Sequence, residues 1–515
     1  METEGSLGSL LRWAADHGIS DSVDQPTSHS CLGHSLCVSF FPDTGGRGLA
    51  AVRQLKKGEL VLRAPKSILL TTQSLSLEDE KLDMALKRYP SLSSTQRWGL
   101  KAHTNVLESI WHRPISLKAY LLRASYFLLV YSLLCGGCKG PSSWWFPYLK
   151  HLPQSYDILA TFGEFEKQAL QQVDYAIWAT EKAALKSRTD WRGVEGLMQE
   201  SNIKSQLQTF KAWLWASATI SSRTLYVPWD EAGCLCPVGD LFNYAAPEGE
   251  SFNAVDVLSF PSHASLNDEL ELLEEQRDSQ WALTDGGFEE NASAYCFYAR
   301  ESYRKGEQVL LSYGTYTNLE LLEYYGFLLQ ENPNDKVFIP IEHDIYGSSS
   351  WPKESLYIHQ NGNPSFALLS ALRLWATHPN KRRGVGHLAY AGSQLSVKNE
   401  ILVMQWLSKN CHTVLNNLPT SIEEDNQLLC NIAKVQDLQV PRELQKTLLT
   451  YGGEFCAFLE TNGVVNRDEA ESHSSQKLKR SLDRWKLAVQ WRLLYKKALV
   501  DCIGYCTTTI CSLSS

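Results

Sequence analysis

The chain lacks a long unbroken apolar run. Its most apolar stretch, YLLRASYFLLVYSLLCGG, contains Arg123 and several polar residues, so it reads as a buried helix and not as a membrane span. It also lacks a positive excess: 515 residues carry 49 Lys and Arg against 57 Asp and Glu, a net charge of −8. That balance argues against a protein built to bind nucleic acid directly. The opening, METEGSLGSLLRWAAD, has no basic region and no apolar core, nor the Arg- and Ser-rich character of a transit peptide. No secretory leader or organelle import is expected. The 13 cysteines are odd in number and scattered, which suits reduced thiols in an intracellular protein, cytoplasmic or nuclear.

Two kinds of ligand motif are missing as well. The glycines of TGGRGLA at 44–50 are not followed by Gly-Lys-Ser/Thr, and the next segment reads as strand. Phosphate-loop and dinucleotide fingerprints therefore fail in context. The histidines form no HExxH cluster, and Cys135-Gly-Gly-Cys138 with Cys234 and Cys236 would make a zinc site only with an unusual second half. Thiols at helix ends and in loops are the better reading, and no metal is expected. No repeat at solenoid periods is present.

What is present is a globular composition, 43% hydrophobic and 21% charged, over a length that suits roughly three domain-sized units. Residues 6–19 predict a short amphipathic helix ending at Gly18. Strands are expected over 45–71, where GGRGLAAVRQL and LVLRAPKSILLT flank a KKGE turn. From 75 to 222 the period is mostly helical, broken by the aromatic stretch SSWWFPYLKHLP at 142–153. Strand and loop return at 223–247, and an acidic run at 265–280 reads as a solvated helix face or an insertion. The stretch NASAYCFYARESYRKGEQVLLSYG at 291–314 predicts a hairpin around its Tyr-Arg-Lys-Gly-Glu turn. The short helix NLELLEYYGF follows, and the chain from 335 to 500 is helical.

One stretch does not fit its own surroundings. CPVGDLFNYAAP at 236–247 places Asp240 and Asn243 inside an apolar segment, where a buried carboxylate or amide needs partners. Its prolines and Gly239 argue against an ordinary helix or a central strand. The tyrosines Tyr313, Tyr324 and Tyr325, each near a glycine, read on propensity alone as core aromatics.

Taken in order, GGRGL at 45–49, Ser222-Arg223, DLFNY at 240–244, and GEQVLLSYG with YYGF at 306–327 resemble the SET-domain protein methyltransferases. The helical insert, WWFPYLKHLP and the helical C-terminal third are similar to the class of the plant Rubisco large-subunit methyltransferase. The resemblance covers nearly the whole chain. It implies an α+β fold: a β-rich SET core with a threaded, knot-like segment, split by a helical insert and followed by an all-helical C-terminal domain. The implied spans are a lead-in over 1–32, a SET domain over 33–327 interrupted at 75–222 and 249–290, a substrate-docking domain over 335–500, and a tail over 501–515.

The resemblance also implies roles. Gly45, Gly46 and Arg47 would form the turn that meets S-adenosylmethionine, and Arg223 would contact the cofactor's carboxylate end. Asp240 would brace the threaded segment, while Asn243 would pair with the methionine part. Tyr244 stands where the family has histidine, a position that serves the adenine through its backbone. Tyr313 would be the catalytic tyrosine that also borders the cofactor, and Tyr325 a second tyrosine of the same pocket. Phe297 and Tyr298, with Tyr313, would wall a dry channel that favours a neutral lysine.

The activity implied is S-adenosylmethionine-dependent N-methylation of a lysine on a folded, non-histone protein docked by the C-terminal domain. A monomer is expected, without membrane attachment. Methylation of a histidine, which one branch of the class performs, stays open. So does a non-catalytic binding module that keeps the SET scaffold.

Overall fold

A computed structural model describes residues 2–22, 30–41, 46–71, 74, 142–171, 173–200, 205–247, 285–436, 453–462 and 472–514. Gly45, Cys135 and Cys138, the acidic run at 265–280 and all of 75–141 lie outside these residues. The described chain falls into two compact units. One is drawn from Met1–Tyr156, Leu185–Pro247 and Ser262–Gly314, the other from Asp157–Ala184 and Thr315–Ser515.

The first unit opens with the expected helix, Glu2–Asp16, which buries Leu10 and Ala14 and turns off at Gly18, φ +86°. Its strands are β1 (Leu36–Phe41), β2 (Gly46–Ala51), β3 (Leu60–Pro65), β4 (Thr224–Val227), β5 (Asp230–Leu235), β6 (Asn243–Tyr244), β7 (Gly286–Glu289), β8 (Ala294–Tyr298) and β9 (Gln308–Leu311). They pair as β1-β2-β9-β6, β3-β8-β7 and β4-β5. The alternating apolar residues of these strands supply one core, with Leu49, Val61, Trp213, Phe242 and Phe297 almost fully enclosed.

The hairpin expected at 291–314 is corrected here. Strands β8 and β9 both form, but β8 pairs with β3 and β7 while β9 pairs with β2 and β6. The Tyr-Arg-Lys-Gly-Glu turn is therefore a crossover between sheets, and so is the similar Leu-Lys-Lys-Gly-Glu turn between β2 and β3. The two crossovers pair with each other. Leu55 N–H donates to Tyr303 O at 2.9 Å and Tyr303 N–H to Leu55 O at 3.0 Å. Gly58 N–H reaches Ala299 O at 2.7 Å, and Gly306 N–H reaches Ala51 O at 2.8 Å. Each glycine sits at positive φ, +80° and +88°, and each following glutamate accepts from a backbone N–H of its own turn. Local alternation and turn chemistry are the same for a hairpin and for such a crossover. The non-local partner decides between them.

The second unit is mainly helical, with a small antiparallel pair, Lys336–Val337 with Ile358–His359. Its helices include Phe366–Trp375, Pro379–Tyr390, Val397–Asn417, Ile422–Gln436, Glu454–Thr461 and the long Ser472–Ser514. Ser365 caps the first of these, its hydroxyl accepting from Leu368 N–H at 3.1 Å. Phe165, Leu372, Met404, Phe458 and Trp485 share its core, where Trp485 stacks on Phe458 at 5.0 Å. Buried charge is closely matched. Asp425 accepts from Arg492 at 2.7 Å and from Lys496 at 2.6 Å, and Arg373 grips Glu400 with two bonds.

The chain leaves the first unit after Gly314, and the helix Asn318–Tyr324 places Leu322 among Leu159, Ala179 and Ala183 of the second.

Candidate active site

The stretch CPVGDLFNY explains its own oddity. Val238, β-branched and fully buried, adopts φ +67°, a left-handed conformation that such residues rarely take. Gly239 follows because a Cβ there would meet Phe297 Cζ at 2.5 Å and Cys236 Sγ at 2.7 Å. The strained turn leads into a single 3-10 turn, Gly239–Leu241, and then into β6. Strand β6 lies parallel to β9, with Asn243 opposite Leu310 and Tyr244 opposite Leu311. A parallel partner so far along the sequence is what a threaded segment requires.

Asp240 has a 3% exposed side chain and two partners. Its Oδ2 accepts from Tyr148 Oη at 2.8 Å and from Arg223 Nη1 at 3.0 Å, while Arg223 Nη1 also donates to Asp240 O at 2.9 Å. Burial alone would lower the Arg223 pKa, but Asp240 with Tyr156 and Tyr148 holds it above its ordinary value. Burial, with Asp240 adding to it, raises the Tyr148 phenol well above its usual range. Arg47 lies in the same field: burial and then Arg223 lower its pKa, with Asp240 opposing. Its Nη2 donates to His151 O at 2.8 Å. Two guanidinium groups thus share the field of one carboxylate.

Beside them Asn243 carries an amide nitrogen sealed from solvent with no hydrogen-bond partner. A Cβ on Gly48 would stand 2.7 Å from that nitrogen and 2.8 Å from Gln308 Nε2. Glycine is what lets β2 approach this closely. Gly46 opens β2 at φ +80°, opposite Phe41.

Tyr313 follows β9, and its hydroxyl donates to Phe242 O. Burial, against the field of Arg223, pushes its phenol above the ordinary value. Tyr244 donates to Gly314 O at 2.8 Å, and the Tyr244 and Tyr313 rings lie 5.2 Å apart.

Arg47, Arg223, Asp240, Asn243, Tyr244 and Tyr313 therefore belong to one neighbourhood of the first unit. Tyr325 belongs to the second unit, its ring 5.4 Å from Tyr316 and 6.0 Å from Phe327. Phe297 and Tyr298, expected with Tyr313 in a channel wall, both lie on β8. As successive residues of β8 they point to opposite faces. Phe297 stacks on Phe242 at 5.2 Å inside the core, and Tyr298 donates to Glu289 on β7. Sequence reasoning missed Tyr148 and Gly48. The aromatic break at 142–153 and the last glycine of GGRGL were the available signals.

Residues 347–499 match the Rubisco LSMT substrate-binding family. Protein SET DOMAIN GROUP 40 of Arabidopsis thaliana is 52% identical over 507 residues, covering 97% of this chain and 95% of that protein. The Actin-histidine N-methyltransferase of Xenopus tropicalis is 23% identical, over 82% of this chain and 64% of that protein. Among solved structures, the SET domain of LSMT bound to lysine and AdoHcy shares the fold. Its TM-score is 0.54 at 16% identity, over 100% of this chain and 93% of that one. The chain belongs to the SET-domain methyltransferases of the Rubisco large-subunit methyltransferase class.

Proposed function

We propose that the protein transfers a methyl group from S-adenosylmethionine to a lysine side chain of a folded protein. The carrying observation is the sealed, unpartnered amide nitrogen of Asn243 within reach of Gly48. A buried donor without an acceptor costs about 1–3 kcal/mol, so it is retained where a ligand supplies the acceptor. Together with Arg47 and Arg223, it makes a donor-rich site suited to the amino-acid end of S-adenosylmethionine. Solved LSMT structures bound to AdoMet and to AdoHcy support the same cofactor. Arg223, held by Asp240 and through it by Tyr148, would supply fixed positive charge for a carboxylate.

The cofactor supplies an electrophilic methyl on a sulfonium, and the protein supplies position. The acceptor nitrogen must be neutral, desolvated and in line. Tyr313 fits alignment better than proton removal, because its raised pKa keeps the phenol protonated. The hydroxyl is oriented by the Phe242 carbonyl. The match of residues 347–499 to a substrate-binding family supports docking of the protein substrate by the C-terminal region.

The test pairs titration calorimetry with S-adenosylmethionine and transfer of labelled methyl groups into extract proteins, the modified residue being read by mass spectrometry. Binding followed by methyl-lysine supports the proposal. A folded protein that binds no cofactor overturns it and leaves the non-catalytic module. Methyl-histidine would instead favour the second reading, which rests on the distant Actin-histidine N-methyltransferase relatives.

A further inference from the structure

We propose that Tyr244 is a positioning residue for Tyr313: its side chain fastens the threaded strand to the turn that carries the catalytic tyrosine. The proposal rests on the methyltransferase reading above. It assigns to the Tyr244 side chain a task beyond the backbone contact expected of this position.

The geometry is reciprocal. Tyr313, on the turn after β9, donates from its hydroxyl to Phe242 O in the threaded segment. Tyr244, in the threaded segment, donates from its hydroxyl to Gly314 O in that turn at 2.8 Å. Each segment thus supplies one phenol to the other segment's backbone. The rings between the two bonds lie 5.2 Å apart at 43°. The backbone ladder joining the segments ends at Ala245 N–H to Leu311 O, 2.9 Å, before the turn begins.

Beyond that point side chains take over from the ladder, with Ser312 N–H donating to Asp285 Oδ2 at 3.2 Å. Gly314 takes φ +125°, open to glycine and to few other residues, and its N–H donates to the Ser312 hydroxyl of the same turn at 3.2 Å. A glycine in such a conformation has many alternatives unless something outside the turn restricts it. The Tyr244 phenol is that restriction. It is 6% exposed, so water competes poorly for the bond. An imidazole at this position is shorter than a phenol by more than a bond length, so histidine would leave the Gly314 carbonyl unreached. The tyrosine is accordingly a different way of fixing the site, and not a worn-down histidine.

The experiment compares the full chain with its Tyr244→Phe, Tyr244→His and Tyr313→Phe variants. Three quantities are read: S-adenosylmethionine affinity by calorimetry, hydrogen exchange at Ser312, Tyr313 and Gly314, and labelled-methyl transfer into extract protein across cofactor concentrations. Tyr244→Phe should exchange at the turn about fivefold faster, which is what one neutral hydrogen bond near 1 kcal/mol represents. Transfer at saturating cofactor should fall by a similar factor, with the KM for the cofactor unchanged. Tyr244→His should resemble Tyr244→Phe. Unchanged exchange, or unchanged transfer beside faster exchange, overturns the proposal. A parallel loss of affinity and transfer also overturns it, by making Tyr244 a cofactor contact. If the unaltered chain binds no cofactor and transfers nothing, the methyltransferase reading fails separately, and exchange alone still decides whether the tether exists.

Discussion

The buried polar cluster around Asp425 in the second unit and the one around Asp240 and Asn243 in the first are handled differently. In the second, Asp425 is 0% exposed, and both its oxygens are taken, by Arg492 and by Lys496. Glu400 is likewise closed off by Arg373. In the first, Asp240 is shared between Tyr148 and Arg223, while the neighbouring Asn243 amide nitrogen meets nothing. A saturated network fixes one packing and has no capacity left for a ligand. An unsaturated one is held open by the surrounding fold, and its missing partner must come from outside. Chemistry is thus sought around Asp240 and Asn243, although the cluster around Asp425 gathers more buried charge.

Substitutions can break this contrast. The largest effect is expected from Asp425→Ala, which takes the carboxylate from buried Lys496 and leaves Arg492 with Glu454 alone. Breaking a buried ion pair on one side costs about 3–5 kcal/mol, and denaturant unfolding should show a loss of that size. A loss below 1 kcal/mol would mean that the cluster is not the structural fastening described. Asn243→Ala should behave in the opposite way. Folding stability should hardly change, because the deleted donor has no partner within the protein. Affinity for S-adenosylmethionine should fall by about one to two decades, or roughly 1–3 kcal/mol. Equal losses of stability and affinity would erase the distinction between the units.

Gly48→Ala sharpens the comparison without removing a polar group. The added methyl would press on the Asn243 and Gln308 amides, and overpacking of this kind costs about 1–3 kcal/mol. Part of that is expected as weaker cofactor binding in calorimetry, because Asn243 must shift. The smallest effect concerns Asp157 in the second unit, whose Oδ1 has no hydrogen bond and only Arg484 at 3.6 Å. Burial raises its pKa from 3.8 to about 6, with Arg484 opposing. The folded-state value lies above the unfolded one, so the stability it contributes is present below the unfolded pKa. It is lost as pH rises through about 6. Asp157→Asn should flatten the stability profile between those values, and an unaltered slope would show that the carboxyl titrates normally.

The strands around 45–71 and 291–314 were legible from alternation, and the ordered motifs pointed to the neighbourhood now seen around Asp240 and Asn243. Strand pairing was not legible. The turns before Glu59 and Glu307 have the local chemistry of hairpins, and only the distant partner makes them crossovers. Tyr148 escaped for the same reason: its role is defined by Asp240, far along the chain. Phe297 and Tyr298 were expected together in a channel wall, and adjacency on a strand sends them to opposite faces. Val238 could not be foreseen, since a positive φ at valine runs against its propensity.

The paired crossovers carry a consequence for how the protein is made. Leu55 and Tyr303 exchange their backbone bonds across most of the first unit's sequence. During synthesis the early strands must therefore wait for the late ones, and an N-terminal fragment ending before β9 lacks the partner edge of β2. The waiting is kinetic more than thermodynamic. Loop-closure entropy grows only logarithmically, about 0.6 kcal/mol for each doubling of the intervening chain. A seam closed by residues so far apart can therefore accept lengthy insertions between its halves at little cost in equilibrium stability, while its rate of closing slows with each one.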